Sequence, residues 1–146
     1  MTRLKLRLLF EGDHSLGPGK AALLEAVAAH GSISAAARSM GMAYRHAWDL
    51  IDDLNQCFGA PVVDTATGGR AGGGARLTPL GREVVRRFRA MERRAQRAVA
   101  PELAALDAKR GGARPPGQSR ARSSASGFVT KSVRPGASQG PKPARR

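Results

Sequence analysis

Cysteine and aromatic residues are scarce: the 146 residues include one Cys, one Trp, one Tyr and four Phe. Cys57 has no second thiol for a disulfide or a metal pair, which suits a reducing compartment, and it reads as a small apolar residue near a helix end. No run approaches the roughly 18 uncharged apolar residues that a membrane span needs. Arg3, Lys5 and Arg7 alternate with leucines, unlike a signal peptide with its charged head and apolar run. The three histidines, His14, His30 and His46, lie in separate segments, and neither a His-Glu-x-x-His nor a Cys-x-x-Cys spacing occurs. The glycine cluster lacks the Lys-Ser/Thr of a phosphate-binding loop. A catalytic constellation, a metal site and a cofactor are therefore not expected, and the chain is expected to be a soluble cytoplasmic protein outside the membrane.

Acidic residues are missing altogether from 109–146, which carry ten Lys/Arg and a net charge of +10, whereas 1–108 carry fifteen Lys/Arg against eleven Asp/Glu, a net of +4. With Arg, Lys, Pro, Gly and Ser dominating, 109–146 read as a disordered basic tail behind one folded domain, 1–108.

Within 1–108 the pattern is mostly helical with a small β-sheet. Residues Leu4 to Phe10 alternate apolar and basic side chains, as in a half-buried strand. A helix is expected from about Pro18 to His30, with Pro18 in the first turn and Gly31 as the stop. Ser32 or Ser34 can cap a short alanine-rich helix that ends at Gly41. A third helix follows, with Ala47, Ile51, Leu54 and Phe58 on one apolar face, Trp48 beside it and Asp52-Asp53 on the solvent side. Two helices joined by a short turn containing Gly41 match a helix-turn-helix, about 20–58.

Two short strand-like runs, "PVVDT" and "ARLT", then flank a glycine-rich stretch, which makes a basic wing of about 61–78 that carries Arg70 and Arg76. The opening strand is expected to pair with this hairpin and cover one of its edges. The last helical region starts at Thr78-Pro79 and covers about 79–106, with Pro101 ending one helix and starting another. Its Leu80, Val84, Phe88 and Met91 recur every three or four residues. At ~1.5 Å per residue, twenty-odd helical residues extend about 30 Å, more than a small headpiece needs, and these four are expected at a homodimer interface.

The polar residues converge on double-stranded DNA as the partner. Ala43, Tyr44, Arg45 and His46 occupy the first turn of the third helix, from which side chains reach base edges when such a helix enters a major groove. Arg45 is the leading candidate for a base or phosphate contact. Ser32, Ser34 and Arg38 on the preceding helix can bond phosphates. Glycines would let the wing approach a backbone closely, and Arg70 and Arg76 would supply its charge.

The stretches "GSISAAARSMGMAYRHAWDLIDDLN" and "ATGGRAGGGARLTPLG" closely resemble the N-terminal winged-helix domain of the molybdate-responsive ModE regulators, whose helix-turn-helix is similar to that of LysR-type regulators. The resemblance covers roughly 4–106. It implies that the helix beginning at Ala43 is the recognition helix, that Gly68–Arg76 is the wing, and that Thr78–Leu106 contributes to a dimer interface. The family often has serine where this chain has Ala43. Residues 109–146 are too short and too poor in apolar side chains to form the family's molybdate-binding domains, so molybdate is not an expected ligand. The expected function is a DNA-binding transcriptional regulator that acts as a homodimer on an inverted repeat. The alternative is a nucleoid-type architectural protein that coats DNA through its basic tail.

Overall fold

The computed structural model describes residues 2–66 and 73–111. The chain divides between Gly112 and Ala113 into two units, and all the described residues lie in the first. The basic tail therefore falls outside the described residues from 112 onward. Of the segment's first residues, Lys109 ends the last helix and 110–111 follow directly on it.

The fold is mostly α with two small antiparallel sheets: β1 (Leu8–Leu9), β2 (Ser15–Leu16), α1 (Pro18–His30), α2 (Ile33–Ser39), α3 (Tyr44–Phe58), β3 (Val63–Ala66), β4 (Gly74–Leu77), α4 (Pro79–Ala98) and α5 (Ala100–Lys109). None of these helices is long and apolar enough to cross a membrane. Local chemistry sets most of the boundaries. Pro18 starts α1 and Gly31, at φ 71°, ends it with its N–H on the Val27 carbonyl. Ser32 caps α2 by accepting from the Ala35 N–H, and Thr78 caps α4 by accepting from the Gly81 N–H. Pro101 lies in the first turn of α5, just beyond the break at Val99.

One core gathers Leu23, Leu24 and Val27 of α1, Ala36 and Ala37 of α2, Ile51 and Leu54 of α3, Val62, and Phe88 of α4. Apolar faces at helical spacing thus meet on a common centre. Ion pairs brace its rim. Arg89 of α4 makes a two-pronged contact with Glu25 of α1, at 2.8 and 3.0 Å, and a third bond to Glu92. The Arg89 hydrogen bonds hold the Glu25 carboxyl below its ordinary value, against a smaller effect of burial.

Two expectations are corrected. The opening strand is only Leu8–Leu9 and pairs with Ser15–Leu16, not with the β3–β4 hairpin, which forms a separate sheet. A turn at Glu11–Asp13, with Gly12 at φ 77° and Asp13 at φ 63°, folds the chain straight back, so the partner close in sequence is met at the lowest loop-closure cost. Ahead of β1 the chain runs along α4, where the Leu4 N–H donates to Gln96 Oε1 at 3.1 Å. Second, Val84 and Phe88, expected at a dimer interface, are 6% and 0% exposed within the chain itself, where they pack into its own core. Their spacing marks the face of α4 that packs on α1, and periodicity alone does not say which neighbour a face meets. Leu80 is half-buried, and Met91 alone of the four stands at the surface.

Candidate nucleic-acid interface

The turn between α2 and α3 is built by Gly41 at φ 65° and by the Met42 N–H, which returns to the Ala37 carbonyl at 3.0 Å. It brings α3 out with its first turn uncovered: Ala43, Tyr44, Arg45 and His46 are all exposed. Ala43 occupies the cap position and provides no side-chain hydrogen bond to the first amides. Ala47, Ile51 and Leu54 point inward and are fully buried. At about 3.6 residues per turn, Arg45, Asp49, Asp52 and Gln56 then line the opposite, outward side, all exposed. Asp49 lies one turn from Arg45 on that surface, so the two present a donor fork and an acceptor side by side.

On α2, Ser34 and Arg38 are exposed, while Ser32 spends its acceptor lone pair on the Ala35 N–H at 3.0 Å. Its hydroxyl proton is still available to an oxygen acceptor outside the helix.

The wing is docked on this unit at its base. The Ala75 N–H donates to the Gly31 carbonyl at 2.8 Å, which ties β4 to the corner between α1 and α2. In the β3–β4 register Asp64 stands opposite Arg76, and both are exposed. The register thus gives Arg76 an acidic cross-strand neighbour that the sequence pattern does not signal. Arg70, the other expected wing cation, lies outside the described residues.

A groove of about 410 Å³ runs between the helices and the wing base, with Ser34, Tyr44, Trp48, Thr65 and Ala75 among its walls. Tyr44 and Trp48 meet edge to face in it, their ring centres 6.3 Å apart. Trp48, beside the apolar face of α3, is partly buried: it packs against the core and also lines the groove.

Asp53 also differs from expectation. It is not a solvated carboxylate but accepts from Lys20 Nζ and lies 2.7 Å from His14 Nδ1, which ties α3 to α1 and to the β1–β2 turn. Burial pushes its carboxyl up, and the hydrogen bonds from Lys20 and His14 outweigh this and hold it below its ordinary value. The partners lie 33 and 39 residues away, and no local pattern signals them. Among the described residues, no group of His, Cys, Asp and Glu could hold a metal ion.

A two-helix unit with the first turn of its second helix uncovered, flanked by a hairpin anchored at its base, defines a winged helix-turn-helix. Residues 20–82 match the bacterial regulatory helix-turn-helix protein, lysR family. The molybdenum-pterin-binding protein MopB of Rhodobacter capsulatus is 48% identical over 77 residues, 53% of this chain and 28% of that protein. The molybdenum transport protein ModE of Azotobacter vinelandii is 40% identical over 93 residues, covering 62% and 34%. The DNA-binding transcriptional dual regulator ModE of Escherichia coli (strain K12) is 41% identical over 71 residues, covering 49% and 27%. The N-terminal region of this chain is thus a ModE-like helix-turn-helix domain of the LysR type. The chain spans about a third or less of the length of these relatives.

Proposed function

We propose that the chain is a cytoplasmic DNA-binding transcriptional regulator that grips an inverted-repeat site as a homodimer. The observation that carries the DNA reading is the shared orientation of two features: the uncovered first turn of α3 and the base of the wing line one groove, held together by the Ala75–Gly31 hydrogen bond. In this reading Tyr44, Arg45 and His46 enter the major groove beside Ala43, with Arg45 the main base or phosphate contact. Ser32, Ser34 and Arg38 meet phosphates, and Arg70 and Arg76 place the wing along the backbone.

The homodimer reading is narrower than the α4 pattern suggested. With Val84 and Phe88 internal, the apolar surface left to a second copy comes from Met91, 37% exposed, and Leu106, 60% exposed, together with half-buried Leu80. Two such protomers would place their α3 helices in successive major grooves about 34 Å apart. Molybdate is not proposed as a ligand of this chain.

The test is selection of bound duplexes from a random pool by the purified full-length chain at roughly 150 mM salt, which screens unspecific contacts. Enrichment of an inverted repeat with half-sites one helical turn apart is expected. Retention of duplexes without any enriched sequence would refute the regulator reading.

A further inference from the structure

The outward face of α3 has two flanks. Tyr44 and Trp48 form one, against the wing base. His46 and Leu50 form the other, and they border a second groove of about 310 Å³ whose far wall includes Lys5, Arg7 and Lys20. Lys20 is already neutralised, since its Nζ donates to Asp53 and to the Ser15 carbonyl. Lys5 and Arg7 make no ion pair among the described residues. Arg7 is nonetheless held in place, with Nη2 donating to Ser15 Oγ at 3.0 Å, and its side chain remains exposed. The orientation follows from alternation: Leu6 and Leu8 pack against the core, so Lys5 and Arg7 point to the other side, where both are exposed.

A helix with its side chains is ~10–12 Å across and a major groove is about 12 Å wide, so an inserted helix has a wall of phosphates on both flanks. The wing serves one flank of α3. We propose that Lys5 and Arg7 form a phosphate-binding arm that grips the DNA backbone on the other flank, beside His46. This rests on the DNA-binding reading above. It gives the basic residues of the N-terminal segment a role separate from both the recognition helix and the tail.

The test compares the full-length chain with the K5Q/R7Q variant on a 30-base-pair random-sequence duplex, by fluorescence anisotropy from 50 to 200 mM salt. Two lost phosphate contacts should lower the salt slope by about 1.8, so the affinity gap between the two proteins should shrink about twelvefold across that range. Unchanged melting temperature shows that the fold is intact, and R7K, which keeps the charge, should keep the original slope. An unchanged slope in K5Q/R7Q overturns the arm while leaving the DNA reading in place, and so does an equal loss in R7K and R7Q. Absence of binding by the unaltered chain removes the DNA reading itself.

Discussion

Replacing Gly81 with alanine should destabilise this protein, although the same change in an exposed helix interior would stabilise it. Gly81 sits in the first turns of α4, buried, and a Cβ built on it would lie 2.1 Å from the Val62 carbonyl oxygen and 3.0 Å from its carbon. Ordinary contact begins near 3.4 Å, so the shortfall exceeds 1 Å. The obstacle cannot step aside cheaply. The Val62 carbonyl accepts from the Thr78 N–H at 3.1 Å, its own N–H donates to Asn55 Oδ1 at 2.8 Å, and Thr78 Oγ1 donates to the neighbouring Pro61 carbonyl at 2.7 Å. Either α4 moves or this network breaks. Overpacking costs about 1–3 kcal/mol, and loss of one buried hydrogen bond adds about 1–3 kcal/mol. The helix preference for alanine returns only about 1 kcal/mol. The net loss is about 1–5 kcal/mol, and at about 3 kcal/mol the fall in Tm is roughly 12–24 °C for a domain of this size. Thermal unfolding followed by circular dichroism checks it, and a Tm equal to or above that of the unaltered chain would refute the packing argument.

Phe88→Ala should cost about 3–5 kcal/mol in urea unfolding, because the ring is fully buried within one chain; a loss of dimerisation with unaltered protomer stability would contradict that placement. The Asp53 carboxyl, held below its ordinary value of 3.8, stabilises the fold above that pH, and this contribution is lost as pH falls through its lower folded-state value. The drop in Tm between about pH 5 and pH 2 should therefore be shallower in Asp53→Asn, and equal slopes would show that the Lys20 and His14 contacts carry no stability. Arg45→Ala should weaken binding to a selected duplex by about 1–3 kcal/mol, roughly five- to 150-fold, with no change in Tm, since the side chain is exposed and makes no ion pair among the described residues. Equal affinity of the two proteins, measured by anisotropy titration, would remove Arg45 from the interface.

The features legible in the sequence are those whose cause is local. Pro18 and Gly31 bound α1 because one fixes φ and the other tolerates a left-handed stop, and Ser32 and Thr78 announce helix starts through their own hydroxyls. The inward stripe of α3 follows from spacing alone, and it leaves Arg45 and its neighbours outside by default. Contacts between distant segments are less legible. Nothing in "LKLRLLF" says that its partner is Ser15–Leu16 and not the wing, and nothing in "WDLIDDL" says that Asp53 will find Lys20 and His14 while Asp52 stays in water. Gly81 shows the same limit in another form. Counted with the glycines of the wing it looks like a source of freedom, but its place is a tight crossing of α4 over the chain at Val62, which becomes visible only when the two segments are brought together.

The bond from the Ala75 amide to the Gly31 carbonyl separates the aim of the wing from its reach. Aim is settled at the base, where β3 and β4 pair from Val63–Leu77 to Ala66–Gly74 and that bond pins them to the helical corner. Reach is a matter of how much chain separates Ala66 from Gly74, a length the sequence can vary without touching this base. On the proposed function, evolution or a protein engineer can therefore retune the wing's grip on DNA while leaving the angle of α3 untouched.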